Sequence, residues 1–219
     1  TTHVSLPTGG KFYPPEHSLH GKESVEIKQM TTREEEILTN QSLIKQGLLT
    51  DRLIQSVLLD KQINPESLFI GDKNAILIAA RASGYGSDYE TQIACPNCGT
   101  KSLMSFDLDN KKIKESIVNS DLGVRQTENN TFMVTTPYSK FEVEISPLTG
   151  EHEVHLSKMA ESRKKGKMQE TMMTDQYKLM IKSVQGNSGR DIINYYVDNM
   201  PLRDSRFIRN AYRAINPDI

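Results

Sequence analysis

The hydrophobic period of this 219-residue chain changes twice. From Thr31 to Gly84 apolar residues recur at about 3.6-residue spacing, from Tyr89 to Ile145 at about every second residue, and after Pro147 the helical spacing returns. A chain patterned in this way is laid out as an arm, helices, a β-rich middle and helices again. Before the first helix, Pro7, Gly9, Gly10, Pro14 and Pro15 block regular structure, and only Val25 and Ile27 alternate as a short strand does. The expected class is α+β, mainly helical, with a central β-hairpin region and an extended N-terminal arm. The segments are an arm at 1–27, helices over 28–86, a β-rich part over 87–146 and helices over 147–219, read together as one compact body.

The local signals are specific. Thr32 caps a helix whose first turn holds Glu34, Glu35 and Glu36, where carboxylates face the positive end of the helix dipole. A second helix is expected over 51–60, with Leu53, Ile54, Val57 and Leu58 on one face. Asn64-Pro65 reads as a cap followed by proline at the first helical position. Asp72 is expected to cap a third helix that Gly84 closes. Tyr89, Thr91 and Ile93, answered by Met104, Phe106 and Leu108, describe a half-buried hairpin. Phe132 and Val134, answered by Phe141, Val143 and Ile145, describe a second. The stretch 111–127 shows no clear period. Helices are then expected over 149–165 and 169–184, with Met172, Met173 and Met180 in the core. Two more follow, one capped by Ser188 and one after Pro201.

Composition enters where function is concerned. Lys and Arg number 27 against 28 Asp and Glu, a net charge of -1. A protein that coats a phosphate backbone is usually strongly basic, so nucleic acid is an unfavoured partner. No apolar run approaches the roughly 18 residues that cross a bilayer, and no leader pattern stands at the N-terminus, so a soluble cytoplasmic chain is expected.

The sharpest chemical signal is Cys95-Pro96-Asn97-Cys98-Gly99, which the alternation places at a hairpin tip. Two thiolates two residues apart before a glycine form half of a tetrahedral zinc site. Closed structural sites are four-coordinate, so a metal-free tight turn is the favoured reading, and zinc is the candidate cofactor in the alternative. His152 and His155 are candidates to complete a four-ligand set, as are His17 and His20; a second copy of the turn, sharing one metal across an interface, is another route. A redox dithiol is disfavoured because such motifs open a helix, whereas this one joins two strands. Arg163-Lys164-Lys165-Gly166-Lys167 reads as a solvated loop or a polyanion contact. Arg203, Arg206, Arg209 and Arg213 share one face of the last helix and suit an acidic partner surface. No nucleophile and base pair by local spacing, and no phosphate-binding glycine loop opens a helix, so no enzyme activity is expected.

One ordered string of motifs adds to this. It runs Leu6-Pro7-Thr8-Gly9-Gly10-Lys11-Phe12-Tyr13-Pro14, Val25-Glu26-Ile27, Met30-Thr31-Thr32-Arg33-Glu34-Glu35-Glu36-Ile37-Leu38, Asp51-Arg52-Leu53-Ile54, Gly71-Asp72-Lys73-Asn74-Ala75-Ile76-Leu77 and Arg81-Ala82-Ser83-Gly84-Tyr85-Gly86, followed by the cysteine turn. This order, over roughly residues 5–108, resembles the baseplate proteins of T-even-like contractile-tailed bacteriophages, a family that includes a baseplate hub subunit. The resemblance implies a non-enzymatic protein, made in the host cytoplasm, that builds or joins the central baseplate through contacts with other tail proteins or with a second copy of itself. The arm residues Leu6, Pro7, Phe12 and Tyr13, with the four arginines of the last helix, are the expected partner contacts. A zinc-ribbon module that binds nucleic acid is the alternative function.

Overall fold

A computed structural model of the chain describes residues 1–109, 112–114, 122–169 and 171–219. With 44% helix and 20% strand in small antiparallel sheets, the fold is mixed α+β.

The first 27 residues do not project as an arm. Strand β1 (Thr2–Ser5) pairs antiparallel with β2 (Ser24–Ile27), setting Val4 opposite Val25. The alternation turns Val4, Val25 and Ile27 inward, where they join Leu6, Tyr13 and Leu19 in a buried cluster. The proline- and glycine-rich loop between the strands cannot be helical, yet it is held from within. The expectation of an extended arm fails because its apolar residues have a core to enter in their own chain.

That core is closed by helices α1 (Thr32–Leu38), α2 (Gln41–Gln46), α3 (Leu49–Val57) and α4 (Ile70–Tyr85). Leu53, Ile54 and Val57 form the inner stripe of α3, and each such side chain contributes about 1.5–3 kcal/mol on burial. Asn64 caps a short 3-10 turn (Pro65–Ser67) by accepting from the Glu66 N–H. Helix α1 begins one residue earlier than expected: the backbone N–H and the hydroxyl of Thr31 both donate to the Glu34 carboxylate. Asp72 does not cap α4, since Phe69 occupies that position and the Asp72 carboxylate is taken by residues of the N-terminal loop.

The second core lies against a four-stranded antiparallel sheet in the order β5 (Arg125–Gln126), β6 (Phe132–Thr135), β7 (Glu142–Ile145), β8 (Ile181–Val184). Phe132, Val134, Val143, Ile145, Ile181 and Val184 are its inward residues. Around them pack α5 (Gly150–Lys165), α6 (Met172–Met180), α7 (Arg190–Asn199) and α8 (Leu202–Ile215). The continuous helix expected over 169–184 is instead α6 followed directly by β8. Ile181 and Val184 can enter either element, and pairing with β7 decides for the strand. Residues 110, 111, 115–121 and 170 lie outside the described residues, and with them part of the stretch 111–127. Met180 is buried as expected, but Met172 and Met173 are exposed, because α6 is too short to bury more than one face.

The two cores meet at defined points. The Phe12 ring sits edge-on to Phe69 at 6.0 Å and to Phe132 at 5.6 Å, one contact in each core. Ile70 donates to the Leu148 carbonyl and Gly150 donates to that of Leu68. Lys73, almost fully buried, bridges Asp51 at 2.7 Å and Glu153 at 3.4 Å.

Strands β3 (Asp88–Ala94) and β4 (Lys101–Asp107) form a two-stranded sheet of their own. Its register places Tyr89 opposite Phe106 and Thr91 opposite Met104. This hairpin was expected to be half-buried; instead Ile93, Leu103, Met104 and Phe106 are all exposed. Its root is fastened to the end of α4, where the Arg81 guanidinium lies 4.7 Å from the Tyr89 ring centre and 5.3 Å from that of Tyr85, a cation–π arrangement.

Candidate interaction surfaces

The expected arm contacts are internal. Leu6, Pro7 and Tyr13 are buried, and Phe12 is half-buried between the two cores. Tyr13 and Thr8 converge on Asp72: the Tyr13 hydroxyl and the Thr8 hydroxyl donate to Oδ2 at 2.6 and 2.7 Å, and the Thr8 N–H donates to Oδ1 at 3.0 Å. Burial pushes the Asp72 carboxyl upward in pKa, and these three hydrogen bonds pull it back. Burial, with the Asp72 charge beside it, holds the Tyr13 phenol far above its ordinary range, so it remains a donor. A buried carboxylate surrounded by donors is a structural latch; Tyr13 is enclosed with it, whereas Leu6, Pro7 and Phe12 line a cavity of about 340 Å³.

The cysteine turn joins β3 to β4. The Thr100 carbonyl accepts from the Cys95 N–H, and the Cys95 carbonyl accepts from the Gly99 N–H at 2.8 Å. Gly99 has φ +71°, which L side chains rarely adopt and which the turn requires. The two thiols lie 3.6 Å apart, with Cys98 exposed. The Cys98 thiol donates to the Thr100 hydroxyl at 3.2 Å, and its hydrogen bonding with Thr100 holds it below its ordinary pKa. Among the described residues, no third His, Cys, Asp or Glu joins them. His152 and His155 are not brought to the turn. The His152 Nδ1 accepts from the Thr149 N–H at 3.1 Å at the start of α5, and burial lowers its pKa to about 4, with Lys182 adding in the same direction. His17 is likewise engaged, with Ser67 through Nε2 and with the Leu19 N–H through Nδ1.

The basic loop after α5 is partly neutralised. Arg163 pairs with Asp175 and Lys165 with Glu161. Over its whole length the hairpin carries Asp88, Glu90 and Asp107 against Lys101, with the Asp88–Asp107 pair at its root, a balance that does not favour phosphate. The zinc-ribbon reading therefore lacks both a second ligand pair and a basic face.

On α8, Arg203, Arg206 and Arg213 are exposed, while Arg209 turns inward and its Nε donates to the Tyr177 hydroxyl at 3.3 Å. Among the described residues none of the three exposed guanidinium groups is held in an ion pair. Asp204, on the opposite side of α8, is buried and accepts from the N–H groups of Tyr138 and Ser139.

A surface that sequence reasoning missed lies beside this. Phe141, Ile192, Tyr195, Tyr196 and Pro201 line a groove of about 480 Å³ between the end of β7 and helix α7. Tyr195 is 73% exposed, and Tyr138 (63%) and Leu202 (71%) stand at positions adjoining the lining. The available signal was on α7, where Ile193, Tyr196 and Val197 make the buried stripe and Ile192 and Tyr195 fall outside it. Two large apolar residues off the stripe are a second apolar face.

Two packed cores, a latched N-terminus and exposed apolar residues on the β3–β4 hairpin and on α7 are what the described residues present. A family model described as T4 bacteriophage base plate protein matches residues 2–184, and the chain belongs to that family. It is a structural protein of a T4-like phage baseplate, concerned with tail and virion assembly. No curated protein matches the chain, and no solved structure does.

Proposed function

We propose that this chain serves the central hub of the baseplate, joining other tail proteins after synthesis in the host cytoplasm. Contact is made through the groove between β7 and α7 and through the neighbouring arginine face of α8. The observation that carries this reading is the exposure of Tyr138, Phe141, Ile192, Tyr195 and Leu202 around one groove. Contiguous apolar patches on soluble chains mark interaction sites, and tyrosine and arginine are the residues that most often anchor them. The segment from 147 to 219 holds 12 basic and 9 acidic side chains, so an acidic rim on the partner complements the arginines and speeds encounter. A stable interface of this kind covers about 1,200–2,000 Å² in total.

Co-expression with the other baseplate proteins of the same phage, followed by size-exclusion chromatography with light scattering, tests it. A stable complex that Tyr195→Glu abolishes while leaving the isolated fold intact supports the reading. A chain that remains alone with every one of them contradicts it.

A further inference from the structure

We propose that Cys95 and Cys98 from two copies of this chain together ligate one zinc ion, with the apolar faces of the two β3–β4 hairpins packed against each other beside it. This inference does not depend on the hub reading.

The thiol separation is the first observation. At a Zn–S distance of about 2.3 Å, the sulfurs of a tetrahedral site stand about 3.8 Å apart. The observed 3.6 Å is therefore close to one edge of that tetrahedron. The turn already has this shape, fixed by the 2.8 Å hydrogen bond from Gly99 to Cys95 and by the left-handed Gly99 backbone. Structural zinc is almost always four-coordinate, so two further ligands are required. None stands near the thiols among the described residues.

The hairpin supplies the second observation. A two-stranded hairpin on its own is marginally stable in water. This one also presents Tyr89, Thr91, Ile93, Met104 and Phe106 on a single face, with Ile93, Met104 and Phe106 between 41% and 45% exposed. Asp88, Glu90, Lys101 and Asp107 alternate onto the other face. Two such hairpins can therefore meet apolar face to apolar face without setting carboxylates against each other. A second copy brings both missing parts at once: two thiols for the metal and an apolar surface of identical shape. The resulting contact is isologous, with its two-fold axis through the ion, the symmetry most soluble dimers use. On binding, each of the four thiols releases its proton to solvent and each sulfur donates a lone pair to Zn²⁺. No electron is transferred.

The test uses the full chain, reduced with a phosphine and titrated with Co²⁺, then Zn²⁺, under light scattering. The expected result is a tetrahedral thiolate–cobalt absorption that saturates at about one ion per two chains, a doubled mass, and displacement of cobalt by zinc. Cys98→Ser, with unchanged circular dichroism, abolishes both. Met104→Glu keeps the thiols but lowers the affinity for metal at that stoichiometry. Saturation at one ion per chain in a monomer, a spectrum without thiolate absorption, or a dimer indifferent to Cys98→Ser would each overturn the proposal.

Discussion

The phenol of Tyr13 donates to the Asp72 carboxylate across 2.6 Å, tying the N-terminal loop to the first turn of α4 from 59 positions away. Both groups are buried. Removing one partner strands the other without water to replace it. Tyr13→Phe is expected to cost about 1–3 kcal/mol in urea unfolding. Asp72→Ala is expected to cost more, roughly 3–5 kcal/mol, since it orphans donors on both Thr8 and Tyr13. Equal and negligible effects would mean that the loop is not held by this latch.

Acid stability follows from His152. Its folded-state pKa of about 4 lies below the ordinary 6.5, so the unfolded chain binds the extra proton. The stabilisation is complete above about pH 6.5 and is lost as pH falls toward 4, on the order of 1–2 kcal/mol once solvent screening is allowed for. Glu34 adds a separate loss. Burial raises its pKa, but hydrogen bonds from Lys28, Ser56 and Thr31 outweigh that and hold it well below the usual carboxylate range. Its contribution therefore disappears only below about pH 4.5. Unfolding midpoints measured from pH 7 to 4 should fall in wild type and fall less in His152→Gln.

Gly71→Ala separates two opposed effects. Alanine in a helix is ordinarily favoured over glycine by about 1 kcal/mol. Here a Cβ on Gly71 would lie 2.1 Å from the Pro217 carbonyl oxygen, a backbone atom that can yield only if the C-terminal segment shifts. Close packing wins, and a net loss of roughly 1–3 kcal/mol is expected in calorimetry. A stabilised variant would show that the C-terminal segment does not lie against α4.

Local chemistry was legible in the sequence, and long-range pairing was not. The Asn64-Pro65 start, the inward stripe of α3 and the mixed α+β class are written in spacing and capping residues. Asp72 was misread as a cap because its partners, Thr8 and Tyr13, lie more than fifty positions away. The same holds for Ile181–Val184, whose β-branched ends suit helix or strand until β7 is alongside. The N-terminal residues looked like a free arm because proline and glycine forbid helix, and nothing local reveals that Val4, Leu6 and Leu19 have a core to enter. The groove residue Tyr195 went unnoticed because a single stripe sufficed to define α7.

Hydrogen exchange should divide the strands. In the metal-free chain, amides of β3 and β4 are expected to exchange orders of magnitude faster than those of β6 and β7. The former lie in an isolated pair, while the latter lie within a sheet under a buried core. Equal protection would mean that the hairpin is supported by more than its own pairing.

The mass of the chain in the presence of the other baseplate proteins of its phage, wild type against Tyr195→Glu, tests most directly whether the groove between β7 and α7 is a docking surface. A defined complex with at least one of them is expected, lost in the variant while the monomer's melting temperature is unchanged. A wild-type chain that keeps its own mass in every mixture, or a complex that forms equally well with the variant, would contradict it.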